Sequence, residues 1–211
     1  SLLLSLLIGL PMGIVAAVRP YSKTDYLVNL AAFAGISVPA FWLALLLIIV
    51  FAVFLGVLPA GGTGTLGDSG FWDQAKYLVL PVANLTIASV GGHTRYMRAA
   101  MIETMRQDYI RTARAKGVGR RRVVLKHALR NALIAPFTVI MLQFTWLLSG
   151  VIVVEYFFAY KGFGALLLDA SLNQDIYLVE ACTLVAVFVA VGTQMIADIG
   201  YMFLNPRIRF R

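Results

Sequence analysis

Uncharged apolar runs alternate with charged segments along the whole chain, and the runs have roughly the length of membrane spans. Crossing roughly 30 Å of hydrocarbon takes about 20 mostly apolar residues in a helix. Five segments meet or approach that length. Leu2 to Val18 is uncharged and interrupted by Gly9, Pro11 and Gly13. Tyr26 to Leu58 is uncharged and longer than one span needs, which predicts a tilted or interfacial first part and a bend near Pro39. Tyr77 to Gly92 is shorter and carries Pro81, Asn84, Thr86 and Ser89. Asn131 to Val154 contains Pro136, Gln143, Trp146 and Gly150, and Ala181 to Ala197 has Gly192, Thr193 and Gln194 near its end. The pattern predicts an all-α fold, a polytopic membrane helical bundle with five spans.

The charges between the runs orient it, because Lys and Arg are retained on the cytoplasmic side. The first loop holds Arg19 and Lys23. The third holds Arg95, Arg98, Arg106, Arg111, Arg114, Lys116, Arg120, Arg121, Arg122, Lys126 and Arg130, and the C-terminal tail holds Arg207, Arg209 and Arg211. All but Lys76 and Lys161 of the 18 basic residues therefore fall on alternate loops. Those two share the opposite side with Asp68, Asp73, Glu155, Asp169 and Asp175. With the Arg19–Lys23 loop inside, the first run travels inward and Ser1 begins on the outer face. The expectation is a preceding region with at least one more span, six or more in total.

Composition fits this reading and removes others. The chain is 60% hydrophobic and 13% charged, against about 25% charged in an ordinary soluble domain. A soluble α/β domain with a greasy core is thereby disfavoured. The net charge of +8 alone suits nucleic acid or an anionic membrane surface equally; its segregation onto alternate loops favours the membrane. The single cysteine, Cys182, lies in an apolar run, so no disulfide forms within the chain and the thiol reads as buried and structural. His93 and His127 stand near no ligand cluster and in no H-E-x-x-H pattern, so no metal site is expected. There is no G-x-x-x-x-G-K-[ST] nucleotide-binding motif, so the chain is not expected to hydrolyse ATP.

The stretch 95–130 is not membrane. It sets its many basic residues against two acids, Glu103 and Asp108, yet apolar positions recur at helical spacing: Met97, Met101, Met105, Tyr109, Ile110 and Ala113, then Val123, Val124, Ala128, Leu129 and Ala132. This predicts two helices joined at a glycine break, Gly117 and Gly119. Gly117 tolerates positive φ and, lacking Cβ, admits a close partner. Three readings fit these residues: a solvated positive-inside loop, a patch for phosphate on nucleic acid or lipid headgroups, and a protein-docking element. The small residues Thr112, Ala113, Ala115 and Gly117 amid arginines suit the last, since they let a helix–turn sink into a cleft while long basic side chains reach its rim. Charge and periodicity leave all three open.

The ordered run Arg106-Gln-Asp-Tyr-Ile-Arg-Thr-Ala-Arg-Ala-Lys-Gly117, followed by Arg121-Arg-Val-Val-Leu-Lys-His-Ala-Leu-Arg-Asn-Ala-Leu-Ile134, closely resembles the "EAA" cytoplasmic loop of ATP-binding cassette (ABC) importer permeases. It is most similar to the dipeptide, oligopeptide and nickel branch. Ser37-Val-Pro-Ala-Phe-Trp42, Leu58-Pro-Ala-Gly-Gly62, Leu80-Pro81, Gly162-Phe-Gly164 and Asn205-Pro-Arg-Ile-Arg209 extend the likeness over essentially the whole chain. Four departures stand out: Arg111-Thr112-Ala113 replaces Glu-Ala-Ala, as is usual in the peptide branch; Lys161 stands where a proline often precedes the Gly-x-Gly turn; Asn205 replaces an aspartate; and an extra residue separates Ile134 from Pro136.

The resemblance implies a permease domain of the type I importer kind over residues 1–211, in the multi-pass inner membrane of a bacterial or archaeal cell, with a first span and an outer segment missing upstream. It implies a second homologous permease subunit, two cytoplasmic ATPase subunits carrying ATP and Mg, and an extracytoplasmic solute-binding protein. No cofactor would sit on this chain and no nucleic acid would bind it. Tyr109, Arg111, Thr112, Ala113, Arg114, Ala115, Lys116 and Gly117 would form the ATPase-coupling element. Peptides are the implied cargo, with nickel or another small solute as the alternative.

Polar residues within the runs are candidates to line a pathway: Asn84, Thr86, Ser89, Gln143, Thr145, Ser149, Thr193 and Gln194, foremost Asn84, Ser89, Gln143, Ser149 and Gln194. Helix–helix packing explains the same residues equally well. No charge sits mid-run, as an ion-coupled carrier often requires, which weighs against a secondary transporter or channel. The aromatic and acidic segment Glu155 to Asp175 suits a re-entrant loop meeting the binding protein or an interfacial anchor.

Overall fold

The computed structural model of the chain describes residues 1–65, 70–149 and 151–204, the side chains at 144–149, 201, 203 and 204 excepted. Among the described residues every regular element is helical: α1 (Leu2–Val18), α2 (Lys23–Ser37), α3 (Ala40–Phe54, π-helical from Ile48), α4 (Phe71–Met105) and α5 (Asp108–Ala115), then α6 (Arg120–Ala132, π-helical over Val123–Ala128), α7 (Ile134–Ser149), α8 (Ile152–Phe157), α9 (Phe163–Leu172) and α10 (Ile176–Leu204). The tail motif Asn205–Arg209, with Arg207, Arg209 and Arg211, lies outside the described residues, as do Asp68 and Gly150.

Each of the five expected spans falls on helix. The first coincides with α1. The overlong second is α2 and α3, bent by 95°. Pro39 sits at the bend as the N-cap of α3; it supplies no N–H to continue α2 and pushes Val38 into an extended conformation, φ −84° and ψ 122°. A second bend, of 49°, separates α6 from α7. Among the described residues Ile176–Gly200 of α10 is long and apolar enough to cross a membrane unaided, and up to three spans qualify when each bent pair counts as one. At 17 residues α1 reaches about 26 Å, just short of the hydrocarbon thickness.

The largest difference from the expected pattern is α4. The run Tyr77 to Gly92 is only the middle of a 35-residue helix, about 52 Å long, that passes through Pro81 and continues past Arg95 and Arg98 to Met105. The helix persists because one face still has a partner after its other face turns polar: Met97 and Met101 are fully buried against the end of α1. The two helices at the glycine break are therefore α5 and α6, and residues 95–105 belong to α4.

α4 is the central helix, and small residues let its neighbours close on it. A Cβ at Gly13 would stand 2.6 Å from the carbonyl oxygen of Thr94 and 2.8 Å from Met97 Cβ. Gly9, one turn earlier on the same face, lies equally close to His93; this is the G-x-x-x-G arrangement of close membrane helices. Gly35 and Gly91 do the same between α2 and α4.

Two buried clusters mark opposite ends. Ala17, Met97, Met101, Ile110, Ala113, Val123, Val124, Ala128 and Ala132 gather α1, α4, α5 and α6 at one end; Ala44, Leu80, Val154 and Phe158 gather α3, α4 and the segment around α8 at the other. Arg120 reaches Val18 at the first end, and the Gly62 amide donates to the Phe158 carbonyl at the second. The first and third loops thus meet at one end and the second and fourth at the other, as the charge pattern requires. Phe188, Val191, Met195 and Ile196 of α10 face outward, as befits a helix against lipid or another subunit.

Candidate functional site

The helix–turn after α4 is a built structure. α5 stops at Gly117, whose φ of +77° is in the left-handed region. The Gly117 amide donates to the Arg114 carbonyl and the Val118 amide to the Ala113 carbonyl. This is the Schellman pattern, which needs a residue free of Cβ strain at that position. Val118 packs onto the cluster containing Ala113, completing the cap. Of the eight residues expected to couple, Ala113 turns inward with Ile110, while Tyr109, Arg111, Thr112, Arg114, Ala115, Lys116 and Gly117 are exposed. The exposed small residues of this helix–turn are therefore Thr112, Ala115 and Gly117, and Ala113 packs behind them. The Asn131 amide donates to the Tyr109 hydroxyl at 2.9 Å, which ties α5 to α6. A Cβ at Gly117 would meet nothing within 4 Å.

Beside this element α2 and α4 are clamped. Arg98 donates from Nε and Nη2 to the two carboxylate oxygens of Asp25, each at 2.6 Å. The Tyr21 amide and the Asn29 side chain add donors to the same carboxylate at 2.8 and 2.7 Å. In the sequence Arg98 is one more charge of the basic stretch, and nothing in the spacing pairs it with Asp25. The available signal was Asp25 itself, an acid on the basic side two residues after Lys23.

Three of the expected pathway residues come together. Asn84 and Ser89 on α4 and Gln143 on α7 line one cavity of about 820 Å³, closed further by α3 and by Val151–Val154. Gln143 donates to the Ser89 hydroxyl at 2.7 Å. Asn84 donates to the Ala40 carbonyl at 3.2 Å, and its buried Oδ1 has no partner among the described residues. Arg95 and Tyr96 form one end of the cavity, with the Arg95 guanidinium 4.7 Å from the centre of the Phe33 ring.

Gln194, Thr86 and Thr193 part company with that cavity. Gln194 bonds to Asp198 on the exposed side of α10 and is not among the cavity's lining residues. Thr86 and Thr193 donate to carbonyls one turn back on their own helices, at 2.6 and 2.8 Å, the usual arrangement of packing hydroxyls. The side chains of Ser149 and Thr145 lie outside the described residues.

At the end opposite the helix–turn the chain folds back through α8 and α9. Glu155 accepts from the Ala165 amide at 2.7 Å, in the first turn of α9. A Cβ at Gly162 would meet that carboxylate, so the Glu155 side chain would have to shift to admit one. Gly61 packs against the Phe158 backbone with no room for a Cβ. The Thr65 amide and hydroxyl donate to Asp73 at 2.7 and 2.9 Å, and the amide hydrogen bond above all holds the Asp73 carboxyl below its ordinary pKa. Sequence reading placed Glu155 and Asp73 only as outer charges; their partners lie too far along the chain to be read from spacing.

Comparison with known proteins bears on the whole chain. The profile of a family described as "Binding-protein-dependent transport system inner membrane component" matches residues 9–210. The chain is 41% identical over 211 residues, all of its length and 67% of the relative's, to the oligopeptide transport system permease protein AppB of Bacillus subtilis (strain 168). It is 38% identical over 208 residues, 98% of its length and 65% of the relative's, to the oligopeptide transport system permease protein OppB of Haemophilus influenzae. A putative peptide transport system permease protein of Brucella abortus (strain 2308) is 41% identical over 204 residues, 96% of this chain and 64% of its own. The chain spans about two thirds of the length of these relatives.

Proposed function

From the premise that this chain belongs to the family of binding-protein-dependent transport system inner membrane components, we propose that it is the permease subunit of an ABC importer for di- or oligopeptides. The single observation that carries the mechanism is the exposed helix–turn Asp108–Gly117, capped at Gly117 and braced on the buried cluster of α1, α4 and α6. Such an element transmits a push as a rigid body, because its inner face is packed while its outer face is free. Peptide cargo is supported by the names of the AppB and OppB relatives.

In this reading two ATPase subunits hold ATP and Mg, and each grips one permease helix–turn in a surface groove. Closure of the ATPase pair displaces α5, and α5 moves the inner ends of α1 and α4 with it, switching the bundle between inward- and outward-open arrangements. This chain performs no hydrolysis; it forms half of the pathway, and a second homologous permease subunit forms the other half. The cavity of Asn84, Ser89 and Gln143 is the pathway-lining part, and the outer Glu155–Asp175 segment receives the solute-binding protein. The protein works as a multi-pass component of a bacterial or archaeal inner membrane.

Reconstitution tests this. The full-length permease, co-expressed with its partner subunits and placed in proteoliposomes, is expected to take up a labelled peptide only when the ATPase subunits, ATP and the loaded binding protein are all present. Uptake by the permease without ATPase subunits would make it a secondary carrier or channel. Uptake of nickel in place of peptide would reassign the cargo alone.

A further inference from the structure

The arginines of the inner end do not share one role. Arg111 stands on the exposed side of α5 and pairs with Asp108 at 3.4 Å. Arg106, Arg114 and Arg120 instead line a cavity of about 620 Å³ behind that helix. The rest of its wall is largely apolar, with Val18 from the last residue of α1 and Ile102 and Met105 from the last turn of α4. The cavity therefore opens where two membrane helices meet the cytoplasmic side.

Its charge is uncompensated. No carboxylate lines it. Among the described residues the carboxylate ion pairs are Asp25–Arg98 and Asp108–Arg111, both elsewhere. Arg120 spends one N–H on the Val18 carbonyl at 2.8 Å, and Arg114 meets only the Met105 sulfur at 3.9 Å. The side chain of Arg106 makes no hydrogen bond among the described residues. All three residues are exposed, and each guanidinium retains donors in the fork geometry that suits phosphate oxygens.

We propose that this cavity binds an anionic phospholipid of the inner leaflet, its phosphate among Arg106, Arg114 and Arg120 and the start of an acyl chain against Val18, Ile102 and Met105. A lipid matches both halves of the lining: a soluble anion would leave the apolar wall wet, and an uncharged lipid would leave the arginines unpaired. The site joins the inner end of α1 and α4 to the α5–α6 connection, so a bound lipid splints the coupling element to the spans.

The test is retention of lipid by the assembled transporter, purified from nanodiscs of mixed phosphatidylglycerol and phosphatidylcholine and weighed by native mass spectrometry. Arg106→Gln with Arg120→Gln is expected to weaken phosphatidylglycerol retention roughly thirtyfold, about fivefold for each arginine near the surface. Arg121→Gln with Arg122→Gln removes the same charge from residues that do not line the cavity and is expected to cost distinctly less retention. Should the first pair fail to assemble, Arg106→Gln alone removes no internal hydrogen bond and still predicts the fivefold loss. Equal losses from both pairs would reduce the site to a general surface charge, and unchanged retention in the first pair would remove it. Excess inorganic phosphate leaves the lipid in place on this account; displacement by phosphate would show a free-anion site and overturn the lipid assignment.

Discussion

Asp25 and Arg98, 73 residues apart in the chain, hold each other through two hydrogen bonds of 2.6 Å each and so fasten α2 to the part of α4 that leaves the spans. Asp25 is 3% exposed and Arg98 23%. Removing one member of such a pair strands the other's charge, at about 3–5 kcal/mol for a fully buried pair. With Arg98 partly in solvent the lower end applies, so Arg98→Met is expected to lower stability by about 3 kcal/mol. The double change Asp25→Asn with Arg98→Gln leaves no stranded charge and should recover more than half of that. Thermal unfolding in detergent reads both; an Arg98→Met protein as stable as wild type would show that the pair does not hold the helices.

The glycines separate packing from docking. Gly13→Leu drives a side chain into the Thr94 carbonyl and Met97, so it is expected to abolish assembly of the bundle. Gly117 has no neighbour within 4 Å, so its substitutions cost only the left-handed strain, about 1–2 kcal/mol, shared by every residue with a Cβ. Gly117→Ala and Gly117→Trp should therefore insert and purify alike. Peptide uptake should fall far more in the tryptophan variant, because its added bulk occupies the exposed face that the proposed ATPase contact needs. Equal uptake by the two would place the ATPase contact elsewhere.

The cavity predicts a pattern of access. On a Cys182→Ala background, Ser89→Cys and Gln143→Cys should react with a water-soluble thiol reagent at rates that change when ATP and loaded binding protein are added. Thr193→Cys, packed away from the cavity, should stay unreactive. Gln143→Leu removes the 2.7 Å bond to Ser89 and should cost about 1 kcal/mol while lowering uptake. Nucleotide-independent labelling at 89 and 143 would make them packing residues.

At the outer end Asp73 anchors Thr65. Because its carboxyl titrates below the ordinary value of about 3.9, the anchoring is fully present above that pH and is lost as pH falls through the lower folded value. Protease cleavage in the segment 59–65 should stay flat from pH 7 to about 4 and rise below it. Asp73→Asn should show the raised cleavage already at neutral pH. Identical cleavage in both proteins would show that the anchor does not order the segment.

The spans and the bend were legible because both follow from local chemistry. Apolar length set α1, and the missing N–H of Pro39 set the 95° turn. The capped turn at Gly117 was legible for the same reason. The reach of α4 was not, because Arg95 and Arg98 look like the start of a loop. What keeps them helical is the packing of Met97 and Met101 on α1, a contact between residues some 80 positions apart. The helical spacing already set Ala113 with Ile110 on the apolar side, and both are buried; a list of small residues by itself does not say which of them faces a partner. Pairing of Ser89 with Gln143 and of Glu155 with Ala165 also depends on how helices meet, and one sequence records only that each residue is polar.

The most direct measurement is cross-linking of the α5 turn to the ATPase subunits in the assembled transporter. Thr112→Cys and Ala115→Cys, on the Cys182→Ala background, are expected to form disulfides with cysteines placed along the ATPase surface groove, in yields that change between ATP-bound and nucleotide-free states. Lys126→Cys on α6 and Tyr177→Cys at the outer end should form none. Cross-links from position 126 with none from 112 or 115 would contradict the assignment of Asp108–Gly117 as the coupling element.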